Sequence, residues 1–484
     1  MFGGTSREIT KSLIVKFGGQ NNILNTCWKR FQTNLPRQEN VKKILYQKYG
    51  QPTFMSHPHL LKDGEVTPGI HRDEFKLRRL KLVENIKLNS DKTDQYKSQF
   101  IIIPSSSKVY MSDKIPYVFR QNTDFLYFCG CQEPNTILVI TSIGDTVTSI
   151  LFMNQKDQHS ELWEGPKTGV EAAPNLFGVN KALPTNLHTK LNELIRTNNI
   201  QKFTNPRNLF HKVRSIKSQS EINLMQKSCD VASMAIKKTM QVSKPGMSEH
   251  QLFAIVDYEC RMNGAEFLAY PPVVAAGNNA NIIHYISNNQ IIQHEDMVLM
   301  DAGCQYNGYT SDITRTWPAN GKFIPEQRIL YETVLDIQKE LLEKVKEMPT
   351  LDQLFHSMCS LLGKRLQEVG LIPKSLSGDK LISAAFSYCP HHVSHYLGMD
   401  VHDTAKISAN IPLQPGMIIT IEPGIYVNPK NPLAPSNFHG LGVRVEDDVL
   451  IKENGPLVLS RNCPKEIAEI EAIASENQSC SKST

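Results

Sequence analysis

The stretch that decides the fold is residues 298–318, VLMDAGCQYNGYTSDITRTWP. It reads as two strands joined at Asn307-Gly308, the dipeptide that best tolerates the positive φ angles of a type I′ hairpin turn. With Asn307-Gly308 as a two-residue loop, residue 306 faces 309 and, counting back, 301 faces 314. Side chains alternate with period two, so Asp301 and Asp312 are diagonal neighbours on one face. Two carboxylates on the face of an apolar hairpin repel and are costly to bury. They share a proton, sit in water or hold a cation, and the hairpin alone does not choose among these.

The chain has 484 residues, which predicts two or three domains of globular composition. No apolar run is long enough for a transmembrane helix. The net charge of +5 is concentrated at the start: residues 1–38 hold six basic side chains and one acid, which leaves 47 basic against 47 acidic residues beyond them. Nothing here predicts a nucleic-acid surface. The first segment is basic, poor in acids, rich in Ser, Thr and Asn, and lacks an apolar secretory core; it is predicted to be a mitochondrial transit peptide, the plainer reading being a basic tail. The 10 cysteines are scattered with no C-x-x-C pair, the pattern of free thiols in a reducing compartment.

Beyond a linker arm at 39–70, a helix is predicted over 72–87 and strands over 100–106, 124–130, 136–142 and 147–153, with a helix over 186–196. This alternation predicts an α/β domain over 71–216. A second unit, 217–470, opens on the capping box Ser218-Gln-Ser-Glu221. Ser248 starts another helix, and strand-like PPVVAAG and NIIHYIS precede the hairpin. The order then repeats. Helices over 326–345 and from Thr350 to Gly370 precede strand-like YCPHHVSHYLG, GMIITIEPGIYV and LGVRVEDDVLI, so the unit reads as a duplicated α+β half. Residues 471–484 read as a polar, frayed tail.

The repeat supplies further acids. Glu422 interrupts a strongly apolar strand, sharing a face with Ile418 and Thr420, and Glu446 shares a face with Arg444. His391, His392, His395 and His402 cluster nearby. Four carboxylates in one dry cavity need compensating charge. Two divalent cations supply it, with one imidazole and bridging carboxylates as ligands. Oxygen-rich ligation without thiolate favours Mn²⁺, with Co²⁺ and Zn²⁺ also compatible. Taken singly, each residue has a plainer role: Glu446 as the ion-pair partner of Arg444, His395 and His284 as core histidines.

The series MDAGCQYNGYTSDITRTWP, HHVSHYLGMDVHD, TIEPGIYV and VRVEDD strongly resembles the pita-bread metallopeptidases of the aminopeptidase P group. FRQNTDFLYFCG at 119–130 resembles their N-terminal domain. HPHLLKDGEVTPGI, AYPPVVAAG and YCPHHVSHYLGMDVHD are similar to the mitochondrial members. The resemblance implies an N-terminal α/β domain followed by a pita-bread α+β catalytic domain. It implies that Asp301, Asp312, His395, Glu422 and Glu446 are the metal ligands, with Asp312 and Glu446 touching both ions. A hydroxide between the ions attacks the scissile carbonyl, and Glu422 shuttles a proton toward the leaving proline nitrogen. His284 and His391 stabilise the tetrahedral intermediate, and His402 contacts substrate near the scissile bond. Tyr270 lines the pocket and Arg444 supports the ligands from behind; Tyr270, His284, His402 and Arg444 form the expected substrate-binding set.

The expectation is therefore a manganese-dependent mitochondrial aminopeptidase that removes the residue before proline from peptides and processed protein N-termini. A homodimer is left open. An Xaa-Pro dipeptidase shares all five ligands and differs in chain-length preference. A creatinase-like hydrolase lacks the carboxylate set, and a catalytically silent binding module is disfavoured because no ligand is missing.

Overall fold

The protein, seen here as a computed structural model, is described over residues 48–89, 99–184, 196 and 205–480. The expected transit peptide and nearly all of the helix expected over 186–196 lie outside the described residues.

Strands β1 (Glu65–Thr67) and β2 (Ile70–His71) form a short hairpin before the helix Arg72–Asn89. Strands β3 (Gln99–Pro104), β6 (Ile137–Ile143), β7 (Thr146–Met153) and β8 (Lys181–Pro184) make a sheet in the order β3-β6-β7-β8, parallel only at β7-β8. A second hairpin, β4 (Tyr110–Ser112) and β5 (Ile115–Pro116), stands apart from it. Period-two alternation decides the faces of β6. Leu138 and Ile140 enter the main core under the helices, while Ile137 and Val139 pack with Ile150 and Phe152 on the other side. The expected strands at 100–106, 136–142 and 147–153 are present.

The run at 124–130 is a helix, Thr123–Cys129, and not the expected strand. Asn122 accepts a hydrogen bond from the Phe125 amide, and Gly130 closes the helix at φ 72°. Phe125, Tyr127, Phe128 and Cys129 are all buried; a short helix buried on most sides lacks the polar stripe that reveals a 3.6-residue period. Two arginines of helix Arg72–Asn89 fix it there. Arg78 Nη1 donates to the Tyr127 carbonyl at 3.1 Å and Arg79 Nη1 to the Phe128 carbonyl at 2.8 Å, cations at a helix C-terminus.

The second half carries β9 (Phe267–Leu268), β10 (Val273–Ala276), β11 (Met297–Asp301), β12 (Cys304–Tyr306), β13 (Tyr309–Thr310) and β14 (Thr314–Pro318). It continues with β15 (Ile418–Ile421), β16 (Gly424–Tyr426), β17 (Gly442–Arg444), β18 (Asp447–Leu450) and β19 (Leu457–Val458). The hairpin register is the one counted from the sequence: Tyr306 pairs with Tyr309 and Asp301 with Thr314. Asn307 and Gly308 take φ 50° and 84°, as a type I′ turn requires.

The hairpin is nonetheless broken. β11 and β14 join β10 in one sheet, while β12 and β13 join β9 in another. The ladder crosses the break without slipping, since Ala302 N donates to the Ile313 carbonyl at 3.1 Å. Gly303 makes the crossing possible, because a Cβ there would stand 1.7 Å from the Ser311 carbonyl oxygen. The repeat breaks the same way. β15 pairs with β18 at Ile421–Asp447 and β16 with β17 at Gly424–Arg444, so residues 422 and 446 stand opposite each other in the gap.

Each half begins with two packed helices: Gln219–Val242 with Glu249–Met262, and Pro325–Lys344 with Leu351–Glu368. The capping boxes at Ser218 and Ser248 form as the sequence predicts, as does that at Thr350. Both helix pairs share one core with the apolar faces of β10, β11 and β15; each fully buried aliphatic side chain there contributes roughly 1.5–3 kcal/mol.

Three further expectations are corrected. NIIHYIS is not a strand: turn bonds from Ile282 to Asn279 and from Tyr285 to Ile282 coil the chain after a 3₁₀ turn, leaving Ile282 and Ile286 exposed. Residues 388–398 form no strand beyond one bridge, Tyr396–Ile419. The tail is not frayed throughout, since helix Ile467–Cys480 buries Ile470 and Ile473 in the core shared by the two helix pairs.

Candidate metal centre

The acids sit where the strands break. Asp301 ends β11, while Asp312, Glu422 and Glu446 occupy the gaps β13/β14, β15/β16 and β17/β18. A residue in such a gap is released from the strict in-out alternation of the pleat, so both halves can turn their carboxylates toward one point. His395 comes from the irregular 388–398 segment, which lies along β15. The His395 amide donates to Thr420 Oγ1 at 3.1 Å, and its carbonyl accepts from the Thr420 amide at 3.0 Å.

All five expected ligand residues converge. One potential donor atom each from Asp312, His395 and Glu446 lies within 4.8 Å of the other two. His395 Nε2 stands 3.3 Å from Asp312 Oδ2 and 3.6 Å from Glu422 Oε1. The Tyr270 hydroxyl ties Asp301 to Asp312, at 2.6 Å from Asp301 Oδ1 and in contact with Asp312 Oδ1. Asp312 and Glu446 are buried; Asp301, His395, Glu422 and Tyr270 are half-buried, so the cluster has a closed floor and an open side.

Electrostatics marks the cluster as short of positive charge. Burial pushes Glu422 up to about 7, with Asp312 adding to the rise and His395 opposing it. Burial also holds Glu446 well above the usual carboxylate range, helped by Asp312, Glu422 and Asp301. Asp301 is raised by burial despite Arg444 beside it. In Asp312 burial works upward too, but His395 holds the group below its ordinary value. His395 rises to about 9: burial works to lower it and is outweighed by Asp312 and Glu422.

The donor set fits divalent cations. Tyr270 has one hydroxyl proton and two carboxylates in reach, so without a cation one of those oxygen contacts needs an extra proton. Glu422 and Glu446 face each other across the strand gap, an arrangement that repels unless a proton or a cation lies between them. Hard oxygen donors with one imidazole suit a divalent ion. The His395 ring is set for ligation through Nε2, because Nδ1 donates to the Tyr396 carbonyl at 3.2 Å.

Arg444 does not pair with Glu446, which disposes of the plainer reading of that glutamate. Its Nη2 donates to Asp301 Oδ2 at 2.7 Å, Nη1 to the Tyr426 hydroxyl at 2.6 Å and Nε to Thr314 Oγ1 at 3.1 Å. Buried with these partners, it supports the ligands from behind. His391 accepts from Tyr426 at Nε2 (2.9 Å) and turns Nδ1 to the His392 carbonyl (2.9 Å), with Glu422 Oε2 3.7 Å away. Burial, then Arg444, pushes it down to about 4, so it is neutral at pH 7. His402 is exposed and stands edge-on to His395, ring centroids 4.5 Å apart. His284 is exposed on its turn, close enough for its charge to act on His391 and His402.

Four supporting residues escape sequence reasoning. Thr314 Oγ1 donates to Glu446 Oε2 at 2.6 Å, Thr420 Oγ1 to Glu422 Oε1 at 3.3 Å, and Tyr426 links Arg444 to His391. Asp448 Oδ2 accepts the Asp312 amide at 2.9 Å and fixes the backbone at the first break. Threonine and tyrosine are ordinary strand residues, so only their place beside the strand gaps could have singled them out.

Residues 223–453 match Metallopeptidase family M24, and residues 75–202 match the aminopeptidase P N-terminal domain. Xaa-Pro aminopeptidase 3 of Homo sapiens is 42% identical over 488 residues, covering 94% of this chain and 96% of that protein. Intermediate cleaving peptidase 55, mitochondrial, of Arabidopsis thaliana is 40% identical over 449 residues, covering 88% and 87%. The solved structure of zinc-substituted Escherichia coli aminopeptidase P in complex with product aligns with a TM-score of 0.76 at 30% identity, covering 84% of this chain and 99% of that one.

Proposed function

The chain belongs to the aminopeptidase P family of metallopeptidases, and on that footing we propose how its residues carry out the reaction. It is a metal-dependent Xaa-Pro aminopeptidase of N-terminal α/β plus pita-bread architecture, acting on peptides that begin Xaa-Pro. The observation that carries the reading of the site is the convergence of Asp301, Asp312, His395, Glu422 and Glu446 from five separate segments.

Asp301, Asp312, His395, Glu422 and Glu446 would hold two divalent ions, Mn²⁺ in preference to Co²⁺ or Zn²⁺. Such ions would supply Lewis acidity, bringing the pKa of water in the site toward neutrality and polarising the scissile carbonyl. The amide nitrogen before proline carries no hydrogen, so the departing prolyl nitrogen must be given a proton. Glu422, with Oε1 3.6 Å from His395 Nε2 and Oε2 3.7 Å from His391 Nδ1, is the group that takes a proton from the attacking water and delivers it. Exposed His284 donates to the carbonyl oxygen as charge develops, and His391, whose one N–H goes to the His392 carbonyl, flanks that oxygen and keeps the Tyr426 hydroxyl in place beside it. Exposed His402 meets the substrate beside the scissile bond. The Tyr270 hydroxyl keeps Asp301 and Asp312 aimed into the site, and the Tyr426–Arg444 pair holds His391 and Asp301 in register.

A mitochondrial address is supported by the basic, acid-poor segment 1–38 and by the plant relative's name. In that compartment the substrates would include freshly processed protein N-termini. The test is a metal-free preparation titrated with Mn²⁺, Co²⁺ and Zn²⁺ and assayed on an Xaa-Pro tripeptide, its Xaa-Ala counterpart and Gly-Pro. Ion-dependent release from the Xaa-Pro tripeptide alone is expected. Cleavage of Gly-Pro with the tripeptide untouched would replace the aminopeptidase by a dipeptidase.

A further inference from the structure

We propose that Arg214 positions His402: a guanidinium buried between the N-terminal domain and the catalytic domain holds the 398–404 loop so that the imidazole stays beside His395. The inference rests on the reading of His402 as a substrate contact.

The loop GMDVHDT has no regular structure, and its backbone is constrained at both ends. Thr404 is held at φ 48°, a left-handed conformation that a β-branched residue adopts at a cost. At Gly398 a Cβ would stand 2.5 Å from Asp403 Oδ2. A segment of this kind keeps its shape only when its surroundings impose it.

Arg214 supplies the constraint. It sits near the end of helix Arg207–Ser215, almost fully buried. Nη2 donates to Asp400 Oδ2 at 2.9 Å and to Asp403 Oδ1, and Nη1 donates to Asp124 Oδ1 on the N-terminal helix Thr123–Cys129. His402 lies between the two loop aspartates that share this guanidinium. Lys217 Nζ adds a second cation 3.3 Å from Asp403 Oδ2. From the N-terminal domain, the Thr123 hydroxyl and Arg120 Nη2 reach Asp400 Oδ1 at 2.7 and 3.2 Å. Three carboxylates thus converge on one planar fork, a pattern that a lysine ammonium cannot reproduce. The loop is also tied to the catalytic frame, where the Thr310 amide donates to the Gly398 carbonyl at 2.9 Å and the Asp403 amide to the Tyr396 carbonyl at 2.9 Å. Through Arg214 the N-terminal domain reaches an imidazole that stands 4.5 Å, ring to ring, from the ligand histidine.

The test is a double-mutant cycle. Arg214→Lys keeps the charge and loses the fork; kcat/KM on an Xaa-Pro tripeptide should fall by about 10–100-fold with metal content unchanged. In a His402→Ala chain the same change should cost less than about twofold, since the group it positions is gone. An equal loss in both backgrounds would mean a general structural role and would overturn the proposal. Hydrogen exchange provides a readout that does not depend on activity: the Gly398 and Asp403 amides should exchange faster in Arg214→Lys, and unchanged exchange would overturn the proposal as well. If His402→Ala alone leaves turnover intact, the assigned role of His402 fails, and exchange still decides whether Arg214 holds the loop. Should Arg214→Lys not fold, Asp400→Asn trims one partner while leaving the guanidinium paired, and the same two measurements apply.

Discussion

Replacing Glu422 by glutamine should have opposite effects on stability and on catalysis. Burial and neighbouring acids raise this carboxyl from an ordinary 4.5 to about 7 in the folded protein without metal. The folded state therefore prefers the protonated form. Below 4.5 both folded and unfolded chains carry the proton, and nothing is lost. Above about 7 the folded chain must hold an ionised Glu422 that the unfolded chain holds at no cost. The gap corresponds to about 3 kcal/mol lost as pH rises between those values. Glutamine has no such titration. In chelator-treated protein, Glu422→Gln should match the parent near pH 4.5 and exceed its stability by about 3 kcal/mol at pH 8, measured by urea denaturation at each pH. The same variant, reloaded with metal, should lose activity by orders of magnitude, because the proton carrier and one ligand charge are gone. A pH-independent difference, or a variant less stable than the parent at pH 8, would refute the account of the acid cluster.

Thr314→Val keeps the shape of the side chain and removes the hydroxyl between Glu446 and Arg444; metal affinity should fall about 10–100-fold, read by titration of the apoprotein. Gly303→Ala drives a methyl against the Ser311 carbonyl oxygen, so the protein should lose about 4 kcal/mol or more in urea unfolding or fail to fold. Deleting residues 1–38 should leave peptidase activity intact while a tagged copy loses its mitochondrial location in cell fractionation; continued import would reject the transit peptide.

Much of the site could be read before the structure because buried acids contradict their surroundings. Asp301 and Glu422 each interrupt a run of apolar strand residues, Glu446 follows Val443 and Val445, and the Asn307-Gly308 turn fixes the register that brings Asp312 beside Asp301. The breaks in the strands could not be read. Glu422-Pro423 and Ala302-Gly303 look like continuations of a strand, and only the three-dimensional crossing between sheets shows that the acids occupy gaps. The helix at 123–129 was misread because burial on most sides hides its period, and 388–398 because apolar and histidine residues mimic alternation in a segment that merely lies along β15. Arg78, Arg79 and Arg214 were invisible as core residues. Their partners are carbonyls, carboxylates and a tyrosine hydroxyl, most of them on distant elements, and a buried arginine has no local signature distinguishing it from a surface one.

The claim that five side chains meet around divalent cations is tested most directly by anomalous diffraction from crystals of the full chain grown with Mn²⁺. The account predicts anomalous peaks bounded by Asp301, Asp312, His395, Glu422 and Glu446, with oxygen and nitrogen donors at about 2.0–2.3 Å. Peaks held by other residues, or none among these five at saturating Mn²⁺, would contradict it.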